Sequence, residues 1–581
     1  MPAKPSGQIK TSTIRKPQKN GDIYIIERQT LYDPVKKYNK VISSKLISKI
    51  PKGSEIEVPT RPKRSKKVNS DTKKEIVNAS RTHTGMMDII SHIGNVSGID
   101  DAIYAATDSG TAQKIISLAR YLLATNGQSL PGIQTWQYNH PLPYEDGITE
   151  DVYHNLFKQI GIDESLFQSY FKSRCDALTD GDALAYDSST ISTYSENLSD
   201  ARFGFNKADD GLKTVKLLTL YSIESRQPVA FAKQPGNLPD VTSIANAIKQ
   251  LDALGVKTTE IITDNGYYSE DNLSMLLQAG FDFITLAKTG IKWIKPEIDR
   301  HMKELNDFRN LCPFDASTKG ISVMVMHDFS KVRKYANHKN GLEKGSVETF
   351  NRRIYLNIYF NQSKQSADKA AFDADLYELK CLIESGIPME DLSDSAQSKA
   401  KKYFTIKKWG NKVTAIPNNK AIDEANKYHG YFVLVSNKER DPFECLRKYR
   451  KRETIEAFFE AEKQKADGSR TRVWSSDTLY GRMFVQFVSL CYYEYYAEEI
   501  RKLKSTLGEK TGNPQHDTQD NLNKELGLKS WLNNTPLYLQ LQWFDTVDSV
   551  NVSVKLKNRR WTSAITARDN LYLEKLGIAI N

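Results

Sequence analysis

The chain has 581 residues, of which 39% are hydrophobic and 26% charged, and its formal net charge is +11. A chain of this length seldom buries one continuous core, so the composition predicts a soluble, globular protein with several domains. We expect neither a membrane protein nor an exported one. The longest weakly polar run, residues 483–493, is far shorter than the roughly 20 apolar residues of a membrane span, and the basic N-terminus lacks the apolar region of a secretory signal.

The five cysteines are widely scattered and never form a Cys-x-x-Cys pair. An odd number with this spacing argues against a disulfide framework and against a zinc site. We therefore expect a protein of the reducing cytoplasm.

The positive charge is concentrated at one end of the chain. Residues 1–80 hold 19 Lys and Arg against 7 Asp and Glu, so the rest of the chain is close to neutral. Within them, residues 21–50 have the β-rich pattern and turn signals of a small β unit. Residues 59–74 combine proline with clustered charge, which is typical of a linker or arm. Its basic residues are candidates for DNA contact, the alternative being a solvated charge run: Arg61, Lys63, Arg64, Lys66 and Lys67.

Residues 81–180 have a helical pattern. In 111–124 and 150–162 the apolar residues recur at intervals of three and four, so the sequence predicts a helical domain. A DNA-reading helix-turn-helix within 86–130 is one interpretation of this domain, and an ordinary helix bundle is the other.

The apolar period changes after residue 181. Three short runs have β-like patterns: 182–191, 214–223 and 227–234. Predicted helices and strands then alternate: helix 242–255, strand 258–264, helix 269–280 and strand 282–288. This order predicts a mixed sheet with helices packed on it.

Residues 290–429 break that alternation. They contain strand-like pieces and one predicted helix, 365–385, which favours an inserted, largely β subdomain. A strand at 430–437 then precedes predicted helices at 441–465 and 478–504, and residues 505–581 combine a polar linker with a short aromatic stretch.

Two aspartates stand where predicted strands end or bend. Asp187 follows the apolar run ALAY, and Asp264 follows EIIT and precedes the turn pair Asn265-Gly266. A carboxylate at a strand edge is well placed to bind a metal ion. Taken alone, either residue is equally a turn former or a helix cap.

The predicted helix 441–465 carries a more specific pattern. Its polar residues of interest are 3, 4 and 7 positions apart: Tyr449, Arg452, Glu456 and Lys463. On a continuous helix they fall within a stripe about 60° wide. Glu453 and Glu460 lie near the same face, so this geometry does not select one carboxylate, and a solvated surface with i,i+4 ion pairs is the alternative.

In this combination the sequence resembles the DDE transposases of bacterial insertion sequences. The resemblance is to the branch that has a β-rich insertion before the last acidic residue and a Tyr-x2-Arg-x3-Glu-x6-Lys signature. It covers about residues 180–500, and further stretches follow the family pattern in order: LAYDSST around Asp187, QPGNLPD (234–240), IITDNGYY and the helix and strand after it (261–288), and GYFVLVSN (430–437). Asn265 departs from the pattern, since many relatives have Arg there, and so does Gly481-Arg482-Met483, where relatives often have His.

The resemblance implies an α/β fold. Its ribonuclease-H-like core comprises residues 181–289 and 430–504, is interrupted by a β-rich insertion (290–429), and follows a basic N-terminal β unit (1–80) and a helical N-terminal domain (81–180). Asp187, Asp264 and Glu456 would be the catalytic residues and would hold two Mg²⁺ ions, or Mn²⁺.

The resemblance also implies how DNA is held. Tyr449, Arg452 and Lys463 would grip phosphates near the transposon end. An aromatic residue of the insertion could stack on a displaced base, and Trp293 and Trp409 are candidates by location, with packing in a core as the alternative.

The implied function is cut-and-paste DNA transposition in the bacterial cytoplasm, at the nucleoid. The protein would bind terminal inverted repeats, cleave DNA and transfer the freed 3′-hydroxyl to a target strand, as a homodimer in the synaptic complex. Residues 505–581 would mediate that pairing or pack as an appendage. Two alternatives remain: a ribonuclease-H-like nuclease or host-adopted relative that does not transpose, and a non-catalytic DNA-binding protein. The motifs of phosphate-binding loops, nucleophile elbows and His-Glu-x-x-His metalloenzymes do not occur in the sequence.

Overall fold

The computed structural model describes residues 9–33, 37–59, 80–178, 182–204, 210–256, 259–332, 345–410, 412–465, 473–554 and 557–578. The chain divides into two compact units. The first comprises Met1–Ala79 and Val552–Arg559, and the second comprises Ser80–Asn551 and Arg560–Asn581. Within the described residues, no helix combines the length and apolar character needed to cross a membrane.

The first unit contains an antiparallel sheet with its strands in sequence order. These strands are β1 (Ile9–Pro17), β2 (Ile23–Asp33), β3 (Tyr38–Ile50) and β4 (Val58–Pro59). A β unit is therefore present where the pattern of residues 21–50 predicts one. The five basic candidates Arg61, Lys63, Arg64, Lys66 and Lys67 lie outside the described residues.

The second unit begins with a short strand and a group of helices. Strand β5 (Ser80–His83) is followed by α1 (Gly85–Val96), α2 (Ile99–Ala106), α3 (Ser109–Ala124), α4 (Ile133–Trp136), α5 (Glu150–Ile160) and α6 (Glu164–Asp176). Helix α3 begins where the Asp108 carboxylate accepts a hydrogen bond from the Thr111 amide, which caps the first turn. Every residue of α3 from Ile115 to Ala124 is buried, so this helix lies at the centre of the predicted helical domain.

A nine-stranded mixed sheet forms the centre of the second unit. Its first elements are β6 (Leu184–Thr193), β7 (Lys213–Ser222), β8 (Gln227–Pro235), α7 (Ile244–Ala253), β9 (Glu260–Thr263), α8 (Glu270–Ala279) and β10 (Asp282–Ala287). Strands β6, β7 and β8 are antiparallel neighbours, whereas β9 is parallel to both β6 and β10. The spatial order β8-β7-β6-β9-β10 places β6 beside β9, and the C-terminal end of β9 lies beside Tyr186 in the first half of β6. The predicted α/β fold with a mixed sheet is confirmed.

The segment 290–429 contains more helix than the sequence pattern predicts. Its elements are α9 (Lys295–Leu305), β11 (Leu311–Cys312), β12 (Asp315–Val332), β13 (Val347–Asn361), α10 (Gln362–Glu384), α11 (Asp394–Tyr403), β14 (Phe404–Trp409), β15 (Lys412–Pro417) and α12 (Asn419–Asn426). Strands β11, β12 and β13 extend the main sheet, so only residues from α10 onward form a separate small core, around Leu379, Tyr403 and Ala415. Only α10 matches the single helix predicted in this segment.

The chain returns to the main sheet through β16 (Tyr431–Ser436), which lies between β10 and β13. The predicted helix 441–465 is interrupted: α13 (Pro442–Lys451) and α14 (Glu453–Lys465) are separate helices. The amide of Arg452 bonds to the Tyr449 carbonyl three residues back, and the Arg452 carbonyl accepts from the Ile455 amide. These three-residue hydrogen bonds tighten the backbone at Arg452.

The long helix α15 (Ser476–Thr506) is buried over most of its length and packs on α3 and α5. It approaches α5 closely at Gly481, because a Cβ atom there would lie 2.0 Å from the Phe157 carbonyl oxygen. The last elements are α16 (Gln519–Asn534), α17 (Leu537–Trp543), β17 (Asp548–Val554), β18 (Lys557–Thr562) and α18 (Ala567–Lys575). Leu528, Phe544 and Tyr572 of this C-terminal segment belong to the main core, so the part of the segment that lies in the second unit packs within that unit.

Candidate active site

The two aspartates lie next to each other because of the strand register. Tyr186 on β6 pairs with Thr263 on β9, so Asp187 and Asp264 are the next residues along two adjacent parallel strands. Asp264 follows β9 and caps the next turn, where its Oδ1 accepts a hydrogen bond from the Asn265 amide at 2.7 Å. The parallel pairing thus brings together two carboxylates that are 77 positions apart in the sequence.

Arg452 connects the first aspartate to the glutamate. Its Nη1 donates to Asp187 Oδ2 and its Nη2 donates to Glu456 Oε1, both at 2.9 Å. The Arg452 side chain is only 8% exposed, whereas that of Glu456 is 60% exposed. The buried guanidinium therefore ties β6 to the first turn of α14 and leaves the glutamate head accessible to solvent.

Tyr449 completes the set from the end of α13. Its hydroxyl donates to Asp264 Oδ1 at 3.2 Å, and the Arg452 guanidinium lies over its ring at 5.4 Å. Burial raises the pKa of Tyr449 well above its ordinary value, so the hydroxyl keeps its proton and remains a donor. The three predicted acidic residues are therefore held in one cluster by two side chains of the signature.

Of the three glutamates that helix geometry left open, Glu456 forms a hydrogen bond with Arg452 of the cluster. Arg452 binds Glu456, whereas Glu453 is exposed at the start of α14. Glu460 is exposed one helical turn further along α14. Lys463 lies half-buried two residues before the end of α14.

The carboxylates of the cluster lie close enough together to shift the pKa values of Asp187 and Arg452. Burial raises the pKa of Asp187 to about 6, Arg452 and the Ser188 amide lower it, and the charges of Asp264 and Asp240 raise it again. Burial lowers the pKa of Arg452, but Tyr449 and the three carboxylates raise it by more, so the guanidinium stays charged. One fixed cation thus faces several anions.

Asp240 is a neighbour of the site to which the sequence pattern assigned no role. Its Oδ1 accepts from the Ser188 hydroxyl at 2.9 Å and from Lys216 Nζ at 2.8 Å. It ends the stretch QPGNLPD, so the only sequence signal was its place in a family-like loop. Because Lys216 is buried and paired with it, Asp240 holds Ser188 and the adjacent Asp187 in position.

The two tryptophan candidates occupy different surroundings. Trp293 follows β10, donates from Nε1 to the Tyr268 hydroxyl at 3.2 Å and stacks on His327 with ring centroids 4.1 Å apart. Trp409 lies at the end of β14, beside the turn to β15, and is 75% exposed. Trp293 therefore contacts Tyr268, just after the turn at Asp264, whereas Trp409 lies exposed on the β14-β15 hairpin.

The donor set suits divalent metal ions. Asp187, Asp264 and Glu456 all offer carboxylate oxygens, the ligands that Mg²⁺ and Mn²⁺ prefer. Asp264 is only half-buried and Glu456 is exposed, so ions in solution can reach both heads. The residues present therefore fit a carboxylate metal centre.

The family model of the transposase DDE domain matches residues 178–492, more than half of the chain. This chain belongs to the DDE transposase family. It is a transposase, its substrate is DNA, and members of the family generally use divalent metal ions to cleave DNA. The family predicted from the aspartates and the signature is confirmed, whereas its bacterial insertion-sequence branch stays a prediction.

Two further comparisons were made. No curated protein matches this sequence. Among solved structures, a similar chain is that of a cryo-EM structure of a piggyBac transposase synaptic complex with hairpin DNA. The two chains are 9% identical, the similarity covers 76% of this chain and 72% of that one, and the TM-score is 0.34.

Proposed function

We propose that this transposase cleaves DNA strands and joins them to a target with Asp187, Asp264 and Glu456 as its catalytic residues. The observation that carries the proposal is the bridge formed by Arg452 between Asp187 and Glu456, beside the hydrogen bond from Tyr449 to Asp264. These contacts connect all three acidic residues to Tyr449 and Arg452, the first two residues of the signature. The strand order β8-β7-β6-β9-β10, with the first three strands antiparallel, supports a ribonuclease-H-like core.

Two Mg²⁺ ions, or Mn²⁺, would be held by these three carboxylates. When bound, such a pair of ions activates an attacking oxygen and stabilises the leaving one in an in-line phosphoryl displacement. The protein's part is to hold the carboxylates at fixed positions, which the buried Arg452 does from the break between α13 and α14. Tyr449 keeps Asp264 oriented through its hydroxyl, and Lys463 adds positive charge further along α14.

The reaction would proceed in two displacements. Water attacks first and frees a 3′-hydroxyl at the transposon end, and that hydroxyl then attacks the target strand. The substrates would be the terminal inverted repeats of a bacterial insertion sequence and a target duplex, brought together by a homodimer. The basic residues between 61 and 67 would supply salt-sensitive, sequence-independent attraction to the phosphate backbone.

Strand joining tests the proposal directly. The full-length protein is incubated with Mg²⁺, a supercoiled target and a labelled transposon end that carries a free 3′-hydroxyl. The same assay is repeated with Asp187→Ala, Asp264→Ala and Glu456→Ala. We expect joined product from the parent protein and none from any of the three variants.

Glu453→Gln is the matched control, because Glu453 lies three residues before Glu456 on the same helix and is exposed. It should join ends at close to the parent rate. Cleavage without joining would instead support a nuclease or host-adopted relative, and DNA binding without either reaction would refute both enzymatic functions. A Glu453→Gln variant as inactive as Glu456→Ala would refute the assignment of the third carboxylate.

A further inference from the structure

A second cluster of ligand-type side chains lies in the second unit and shares no residue with the active site. His83 ends β5, His140 follows α4, and Asp545 lies in the turn before β17. One potential ligand atom of each lies within 4.8 Å of those of the other two. The His140 side chain is 9% exposed, and the other two are about one-third exposed, at 32% and 36%. The cluster is therefore sheltered but reachable by small ions.

Both imidazole rings are oriented by main-chain carbonyl groups. Nδ1 of His140 lies 2.8 Å from the Trp136 carbonyl oxygen, and Nδ1 of His83 lies 2.7 Å from the Asp545 carbonyl oxygen. A carbonyl oxygen only accepts hydrogen bonds, so Nδ1 carries the proton in both rings, and a neutral ring then has its lone pair on Nε2. A histidine that donates from one nitrogen to a carbonyl and offers the other is the usual form of a metal ligand.

The contact between His140 and Asp545 brings two hydrogen-bond acceptor atoms together, as happens around a bound cation. Nε2 of His140 lies 2.9 Å from Asp545 Oδ1. In the neutral ring both atoms are acceptors, so their approach requires a positive charge, either a proton or a metal ion. The Trp136 ring stacks on His140 at 3.8 Å and nearly parallel, which fixes the direction in which Nε2 points.

A buried carboxylate provides an independent indication. Asp548 is 9% exposed, and its Oδ2 accepts from the Arg81 Nε at 2.9 Å. Its Oδ1 is buried and accepts no hydrogen bond from the residues that the structure describes, although it lies 3.4 Å from His83 Nδ1. The Asp548 carboxylate forms an ion pair with Arg81, and its second oxygen faces His83 Nδ1, which favours a proton on that nitrogen and leaves the lone pair on Nε2.

We propose that His83, His140 and Asp545 bind one Zn²⁺ ion. Two imidazole nitrogens and a carboxylate oxygen are common protein ligands of zinc, and a water molecule would complete the tetrahedral coordination. The ion would connect β5, which leads into the helical domain, to the C-terminal segment. The ligands are 405 and 462 positions apart along the chain, so the site closes very long loops. The cysteine pattern gave no indication of this site because none of its ligands is a cysteine.

Zinc counting in the presence of Mg²⁺ tests the site apart from the catalytic carboxylates. The full-length Asp264→Ala protein serves as the parent, so that the catalytic metal centre is weakened. It is stripped of metal, equilibrated with Zn²⁺ in a large excess of Mg²⁺, and its zinc is measured by mass spectrometry. We expect about one zinc per chain.

The ligand variants are then made in the same protein. His140→Ala and Asp545→Asn should weaken zinc binding by about 100-fold or more, since even the loss of a residue behind a ligand costs ~10–100-fold. His154→Ala is the control, because His154 is an exposed histidine of the same domain whose nearest ion pair is Glu150. It should bind zinc like the parent.

Thermal unfolding distinguishes loss of a ligand from loss of the fold. Asp545→Asn keeps an oxygen acceptor for His140, so in EDTA it should unfold near the parent temperature. Zn²⁺ should raise the unfolding temperature of the parent and of His154→Ala only, because a ligand of the native state stabilises it. If the parent binds no zinc, the proposal is overturned and His140 and Asp545 form a protonated imidazole–carboxylate pair. The proposal is also overturned if the parent and both ligand variants bind zinc equally.

Discussion

The substitution Arg452→Ala should show how much the guanidinium charge stabilises the carboxylate cluster. Arg452 makes two charge-assisted hydrogen bonds of 2.9 Å, one to the largely buried Asp187 and one to the exposed Glu456. Removing one partner of a buried ion pair costs about 3–5 kcal/mol, whereas an exposed pair contributes ~0–1 kcal/mol. Since Asp187 is 18% exposed, we expect a loss of about 3 kcal/mol in the unit that contains the site.

Thermal unfolding in EDTA measures this loss. At about 2–4 °C per kcal/mol, the unfolding temperature should fall by roughly 6–12 °C. Adding Mg²⁺ should recover part of it in Arg452→Ala, because a bound cation replaces the missing charge among the carboxylates. Arg447→Ala is the control, since Arg447 is an exposed residue of α13 whose ion pair with Glu444 lies at the surface. Equal losses for the two variants in EDTA, or no recovery with Mg²⁺, would refute the reasoning.

Two further predictions concern the packing of α15. Gly481→Ala should destabilise the protein by about 1–3 kcal/mol in chemical denaturation, because its Cβ would lie 2.0 Å from the Phe157 carbonyl oxygen. Gly527→Ala is the control and should show no such loss, because a Cβ there meets nothing within 4 Å. Glu494→Gln should change the pH dependence, because burial raises the pKa of Glu494 to about 7 despite a 2.9 Å hydrogen bond from Tyr221. The folded state then holds a proton that the unfolded state loses, so the free energy of unfolding falls by up to about 3 kcal/mol as the pH rises from ~4.5 to 7. If the stability of the Gln variant has the same pH dependence as that of the parent, Glu494 is not the group responsible.

The carboxylates proposed as catalytic could be singled out from sequence because their signals are local. Asp187 and Asp264 each follow a short apolar run, and the signature residues from Tyr449 to Glu456 lie within eight consecutive positions. Helices such as α7 and α8, which alternate with β9 and β10, also have clear apolar periods. In each case the residues that determine the structure are neighbours in the chain.

The break at Arg452 could not be predicted in this way. The segment contains no proline or glycine at that point, and its apolar period continues into α14. The backbone tightens where Arg452 reaches Asp187, a contact between residues 265 positions apart. A tertiary ion pair thus overrides a local preference for one continuous helix.

The insertion illustrates a second limit. Helix α11 consists largely of polar residues and Lys, so it gives a weak apolar period, although its Ala400 and Tyr403 are buried in the small core. Strand β13 joins the main sheet by pairing with β16, about 70–80 positions further along, and β12 in turn pairs with β13. Neither a polar helix nor a distant strand pairing leaves a signal within a short window.

The charge balance of the site explains why Arg452 and metal ions should act on the same carboxylates. Asp187, Asp264 and Glu456 carry three negative charges when ionised, whereas Arg452 supplies one positive charge, and Asp240 is already paired with Lys216. The deficit of two charges is concentrated where burial makes an unbalanced carboxylate costly. Divalent ions would remove that deficit, and the guanidinium would then be free to attract a phosphate that carries a further negative charge. Arg452 would therefore position the carboxylates when no metal ion is bound and contribute to DNA binding once cations are bound. Arg452→Lys should keep a larger fraction of the parent's metal-free stability than of its strand-joining activity.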